Sequence, residues 1–258
     1  MNLKRIISGL ILYPLLLLVI LKGSIKFLSI LIILVGIICF YEWCNIFKFS
    51  INFFLTRVII LIFVFYLAIF YKINFFTIVY IFFFFSFLFY LFNYEKEIFK
   101  NEFFPLFLGF LYIFIGLFSL FQILSKFNRL YLIYFFTVVF ANDTGAYFTG
   151  KILGKHPFFK QISPKKTLEG FFGGLFFSLA ISILLNKYFY LFSFITNLII
   201  AFSLAIVATI GDLLESSFKR ITGVKDSGSL IPGHGGMLDR IDGVLFSSPF
   251  FLIILKFM

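Results

Sequence analysis

Residues 216–242 read SSFKRITGVKDSGSLIPGHGGMLDRID. The stretch gathers Lys219, Arg220, Lys225, Asp226, His234, Asp239, Arg240 and Asp242, and it sets Gly223, Gly228, Gly233, Gly235 and Gly236 among them. Almost everything before it is apolar. A chain embedded in lipid has no packing reason to collect charge and glycine in one place, so the stretch marks a polar site on an otherwise apolar protein. Glycines let backbone amides come close to an anion, and such concavities bind phosphates. Asp side chains add hard oxygen ligands of the kind magnesium takes, in preference to zinc. The stretch therefore reads as a site for polyphosphate and a divalent metal at a membrane surface.

Outward from this stretch, 62% of the 258 residues are hydrophobic and 13% are charged, with a mean hydropathy of +1.11. Soluble domains are about 45–50% apolar and about 25% charged. The predicted fold class is an all-α, polytopic integral membrane protein. Spans of roughly 20 apolar residues fit about nine times, near 6–21, 25–47, 52–71, 74–93, 104–123, 130–148, 168–186, 191–216 and 237–257. Residues 1–258 read as a single transmembrane domain. Apolar N-terminal spans occupy 1–125, and catalytic spans occupy 130–258 with cytoplasmic loops at 149–167 and 217–236. Lys4 and Arg5 precede the first apolar run as in a signal peptide. Ile6 to Leu21 lacks a small-residue cleavage site, so a retained first span is expected. The 46 Phe read as base bias filling lipid-facing positions. Cys39 and Cys44 point in different directions on a helix, which predicts neither a disulfide nor a metal pair.

The net charge is +11. The basic residues sit in short loops, where they set topology and meet anionic lipid heads. There is no basic domain and no nucleic-acid-binding signature, so nucleic acid is excluded as a partner. Numbering loops from the N-terminus, the even side carries 15 Lys and Arg and the odd side 7. The positive-inside rule places the even side, with both long polar loops, in the cytoplasm. Without those two loops the tally is 7 against 7, so the site itself supplies the bias.

Three constellations carry chemistry. Asp212 lies in the apolar run ATIGDLLESSFKR, with Glu215, Ser216 and Lys219 on its helical face. A carboxylate at membrane depth faces the protein interior, a cavity, an ion or a cation. A structural pair of Lys219 with Asp212 or with Glu215, and a metal-ligand role for Asp212, both fit. Asp239 and Asp242 share the first turns of the last span, with Arg240 between them. Capping a helix dipole accounts for one such Asp but not for the whole group. Amides at that helix start would favour an anion. The third constellation is ANDTGAYFTGKILG followed by ISPKKTLEGFFGG. Asp143 is a functional candidate by its depth. Gly145 and Gly150 also permit close helix approach. Ser163 and Pro164 are expected to cap and open the next helix, Lys165 and Lys166 suit phosphate as point charges, and Glu169 caps or pairs with them. His156 and His234 lack a metal spacing, and no P-loop or nucleophile elbow occurs.

The pattern S-x-hydrophobic-K-R, four residues, K-D, then P-x-H-G-G and D-R-hydrophobic-D resembles the signature of the phosphatidate cytidylyltransferases, the CDP-diacylglycerol synthases. Ser216, Lys219, Arg220, Lys225, Asp226, Gly228, Pro232, His234, Gly235, Gly236, Asp239, Arg240 and Asp242 all fit it. NDTGAY and SPKKTLEG are similar to the same family, so the resemblance covers about residues 140–243. It implies a membrane enzyme, usually dimeric, that condenses CTP with phosphatidic acid and needs magnesium, with the number of ions and a second cation left open. It implies Asp212 and Asp239 as metal ligands, with Asp226, Asp242 and Lys225 as further catalytic residues. It also implies Asp143, Lys165, Lys166, Lys219, Arg220, His234, Gly235, Gly236 and Arg240 as substrate contacts. The expected location is the bacterial inner membrane, with the site facing the cytoplasm. Two other readings stay open. A transporter or channel would line its path with Asp143 and Asp212, and a CTP-dependent lipid kinase would release CDP.

Overall fold

The computed structural model describes residues 3–49, 104–230 and 235–258, with the side chains of the first helix described from Tyr13 onward. The expected spans 52–71 and 74–93, and His234, lie outside the described residues. Among the described residues the chain is all-helical: α1 Leu3–Lys22, α2 Ile25–Ile46, α3 Phe104–Lys126, α4 Arg129–Leu153, α5 Leu168–Phe189, α6 Phe194–Ile221 and α7 Leu238–Phe257. Each matches an expected span within a few residues. Four of these segments, Ile25–Ile46, Pro105–Lys126, Leu168–Phe189 and Phe194–Ile221, are long and apolar enough to cross a membrane.

Most helices start on a cap of their own. Ser24 Oγ accepts the Phe27 amide, Asn128 Oδ1 that of Leu130, Thr167 Oγ1 that of Gly170 and Ser193 Oγ that of Thr196. Helix α5 thus begins one turn later than the Ser163 cap predicted. Residues 163–168 instead fold back on 156–158. Phe158 N donates to Lys166 O at 2.7 Å, Leu168 N to His156 O at 2.9 Å, and Pro157 bridges Thr167. Those backbone bonds outcompete an early helical turn, and they fix Lys166 in place.

The most extensive packing joins α4 to α5, followed by α7 to α6 and α7 to α3. Helices α6 and α7 cross where neither has a side chain to spare. A Cβ on Gly211 would stand 2.5 Å from Phe246 Cβ and 3.0 Å from the Asp242 carbonyl, and one on Gly243 would stand 3.2 Å from the Ala208 carbonyl. The crossing sets Asp212 beside Asp242. Hydrogen bonds lock neighbouring helices: Tyr112 to the Asp242 carbonyl at 2.8 Å, Ser248 to the Gly116 carbonyl at 2.8 Å, and Asn142 Nδ2 to Thr209 Oγ1 at 3.1 Å.

Phenylalanine serves two environments. Phe172 and Phe176 lie exposed on α5 and Phe202 on α6, as expected of lipid-facing positions. Phe110, Phe114, Phe135 and Phe251 are instead fully buried. Phe110 stacks on Phe114 at 4.9 Å, and Phe135 on Phe251 at 5.3 Å. The reading of Phe as lipid-side filling is therefore corrected for the core. Flat rings fill helix–helix space at low rotamer cost and gain from offset stacking. Cys39 and Cys44 are both buried.

Candidate active site

The polar residues meet at the end of the bundle where α4 and α6 finish and α5 and α7 begin. Helix α6 presents Asp212, Glu215, Ser216 and Lys219 along one face, where Ser216 meets Asp212, Glu215 meets Lys219, and Asp212 and Lys219 also reach Lys166 and Asp239. Lys166, from the turn before α5, places Nζ 2.5 Å from Asp212 Oδ2. Its ammonium makes no directed hydrogen bond among the described residues, so its N–H donors can turn to an incoming acceptor. Ser216 Oγ donates to Asp212 Oδ1 at 3.4 Å.

Asp143 of α4 lies close enough to Asp212, Lys166 and Arg240 for their charges to act on it. Its side chain is exposed. Asp242 of α7 is buried, and the charges of Asp212, Glu215 and Asp143 act on it. Three carboxyl groups from three helices thus act on one another, with Lys166 paired to Asp212 and the charges of Lys166 and Arg240 acting on Asp143.

Beside them lies a second, closed cluster. Lys219 Nζ stands 2.5 Å from Glu215 Oε2 and 2.6 Å from Asp239 Oδ1, and all three side chains are buried. Asp239 also accepts from the Ser227 amide at 3.0 Å and the Gly236 amide at 2.9 Å. Its oxygens are therefore occupied by the protein's own donors. Lys219, expected at substrate, bridges two carboxylates instead.

Lys165, Lys225, Asp226 and Arg240 are exposed around the site. Arg220 reaches back, with Nε donating to the Ile162 carbonyl at 3.1 Å and NH1 to the Val224 carbonyl at 3.3 Å. It pins the 154–167 loop to the end of α6. Glu169 accepts the amides of Lys155 and His156 and pairs with His156 Nδ1 at 2.6 Å. Gly235 has φ +86, a backbone form L side chains resist, and a Cβ there would stand 2.6 Å from Asp239 Oδ2.

The sequence reading missed Glu42. It lies in α2, in the stretch assigned only to apolar spans, and is 3% exposed. It accepts Ser227 Oγ at 2.9 Å, the Met237 amide at 2.8 Å and the Leu238 amide at 2.7 Å. The amides expected to await a phosphate at the start of α7 are thus held by Glu42 and Asp239. The available signal was a carboxylate buried in the apolar run ICFYEWCNIF.

Among the described residues, no three Asp, Glu, His or Cys side chains form a ready cage for an ion. Magnesium is ordinarily held by one or two carboxylates together with substrate phosphates. The hard oxygen donors of Asp143, Asp212 and Asp242 fit an ion of that kind.

Among the described residues, fold and site define an all-helical protein with four helices long and apolar enough to cross a membrane and an ionisable cluster at one end. The chain belongs to the cytidylyltransferase family, whose sequence profile matches residues 3–258. It is similar to the phosphatidate cytidylyltransferases of Staphylococcus haemolyticus and Staphylococcus aureus, at 46% identity over 129 residues, 48% of this chain and 48% of theirs. The phosphatidate cytidylyltransferase of Staphylococcus epidermidis is 41% identical over 145 residues, 56% of this chain and 55% of its own. The chain spans about half the length of the curated relatives it matches.

Proposed function

We propose that this chain transfers the cytidylyl group of CTP to phosphatidic acid, giving CDP-diacylglycerol and pyrophosphate. The observation that carries the reading is the meeting of Asp143, Asp212 and Asp242 from three helices, with Lys166 paired to Asp212 and Arg240 near Asp143, in a family of cytidylyltransferases. A phosphate oxygen of phosphatidic acid attacks the α-phosphorus of CTP. The bond to the β-phosphate oxygen breaks, and pyrophosphate leaves with its electron pair. No protein nucleophile is needed.

Both reactants are anions, so the work of the site is positioning and charge neutralisation. Lys166 exchanges Asp212 for a phosphate oxygen, and exposed Lys165 and Lys225 grip the triphosphate from the rim. Arg240 lies near Asp143. Asp212, with Asp143 and Asp242 beside it, would hold magnesium, which when bound screens the phosphates from one another. The sequence reading gave Asp239 the same task. For that, it must release a donor it now holds, so we assign it to positioning Lys219 and the 227–236 loop. In this reading the chain spans a bacterial plasma membrane about nine times. It acts as a homodimer, and its site opens to the cytoplasm.

The test is pyrophosphate release from CTP by the purified chain in lipid nanodiscs, with and without phosphatidic acid and magnesium. Release that needs both supports the reading. Release of CDP would mark a lipid kinase, and no release from well-folded protein would overturn the proposal.

A further inference from the structure

Helix α7 carries no side-chain cap of its own, yet its first turn holds Asp239, with Asp242 in the next turn. Its start is capped from α2. Glu42 Oε1 accepts the Met237 amide, and Oε2 accepts both the Leu238 amide and Ser227 Oγ. One carboxylate therefore ties α7 to the 222–230 loop. The glycines around it are shaped to admit it. A Cβ on Gly228 would stand 2.9 Å from Glu42 Oε1, and one on Gly236 would collide with Ser227 Oγ and Glu42 Oε2. Glycines that look like a phosphate cradle in the sequence thus enclose an anion of the protein itself. Trp43, the next residue, donates to the Pro105 carbonyl at 2.9 Å and packs on Phe218 at 5.1 Å, so α2 cannot easily withdraw.

We infer that Glu42 is a positioning residue for the nucleotide site: it sets the start of α7, and with it the placement of Asp239, Arg240 and Asp242. The inference deepens the cytidylyltransferase reading and rests on it for the effect on turnover. The chemistry is specific to a carboxylate. Three donors converge on two acceptor oxygens, and a Gln of the same shape must turn its NH2 against at least one of them. A buried polar clash of that kind loosens the loop rather than emptying a cavity.

The test compares the full chain with Glu42→Gln and, as a milder change, Ser227→Ala, all in nanodiscs. Amide exchange is followed by mass spectrometry in peptides covering 235–242 and, as a reference, in α5. Exchange over 235–242 is expected to rise about tenfold in Glu42→Gln and less in Ser227→Ala, with α5 unchanged. In the same samples KM for CTP rises by about tenfold while KM for phosphatidic acid holds. Unchanged exchange over 235–242 overturns the clamp whatever the activity. Faster exchange with an unchanged KM for CTP overturns the positioning role and leaves a purely structural contact. Should Glu42→Gln fail to fold, unchanged exchange in Ser227→Ala overturns the clamp. A native chain that releases no pyrophosphate overturns the transferase reading and with it the positioning role, while the exchange result still decides the clamp.

Discussion

Replacing Lys219 by Met tests how the closed cluster is held. Lys219 Nζ lies 2.5 Å from Glu215 and 2.6 Å from Asp239, and the side chains are 9%, 1% and 7% exposed. Met keeps the length of the stem and removes the charge. It leaves Glu215 without a cation partner among the described residues, whereas Asp239 retains the Ser227 and Gly236 amides. Breaking a buried pair from one side costs about 3–5 kcal/mol. In a chain of this size each kcal/mol moves the midpoint by about 2–4 °C, so thermal unfolding should come roughly 6–20 °C earlier. Trp43 is the only tryptophan and is fully buried against Phe218, so its fluorescence reports the transition beside the mutated site. Glu215→Gln in the same chain removes the worse orphan, and about half the loss should return. A Lys219→Met midpoint within about 2 °C of the parent would refute the claim that this lysine neutralises two buried acids.

Asp212→Asn should lower pyrophosphate release by about a hundredfold or more with the thermal midpoint preserved, because its side chain is 33% exposed and caps no backbone group. Stopped-flow or coupled pyrophosphate assays beside the Trp43 melt check both halves. Gly211→Val drives a Cβ against Phe246 and the Asp242 carbonyl. It should cost about 1–3 kcal/mol and also impair turnover, since it parts the helices bearing Asp212 and Asp242. Tyr112→Phe removes the hydroxyl bound to the Asp242 carbonyl. A loss of about 1 kcal/mol, read as a downward midpoint shift, is the expected result.

The membrane class, the helix positions and most of the ionisable cluster were legible because charge inside an apolar run is costly. Asp143 and Asp212 stood out on that ground alone, and Asp242 by its spacing from Asp239 at the start of the last span. Partner choice was not legible. Lys219 shares a helical face with both Asp212 and Glu215, and spacing does not say that Glu215 and the distant Asp239 take it. Glu42 obeys the same rule as Asp212 and is the only acidic residue before Glu95. Its partners lie 185 or more residues away, where no periodicity connects them. Nor does a helix apolar on every side reveal which Phe face lipid and which face Trp43 or Phe251, since the hydrophobic pattern is the same on both sides. The span at 168 was legible, but its cap was placed at Ser163 and not at Thr167 for a local reason: backbone pairing with 156–158 is invisible to a cap motif read alone.

One motif therefore contains residues of two kinds, and their charge balance separates them. Glu215, Lys219 and Asp239 face one another in a closed set, with backbone amides completing Asp239. Removing a member disturbs the fold first. Asp143, Asp212 and Asp242 lie together with one cation, Lys166, paired to Asp212, whose side chain is 33% exposed, and with exposed Arg240 near Asp143. Removing a member there disturbs ligand chemistry first. Loss of activity alone does not distinguish the two sets, since both converge on the start of α7. A midpoint measured beside each rate does. Variants of the closed set should fall together in stability and turnover, and Asp212 variants should fall in turnover alone. If Asp212→Asn melted early and Lys219→Met did not, the assignment of the two sets would have to be exchanged.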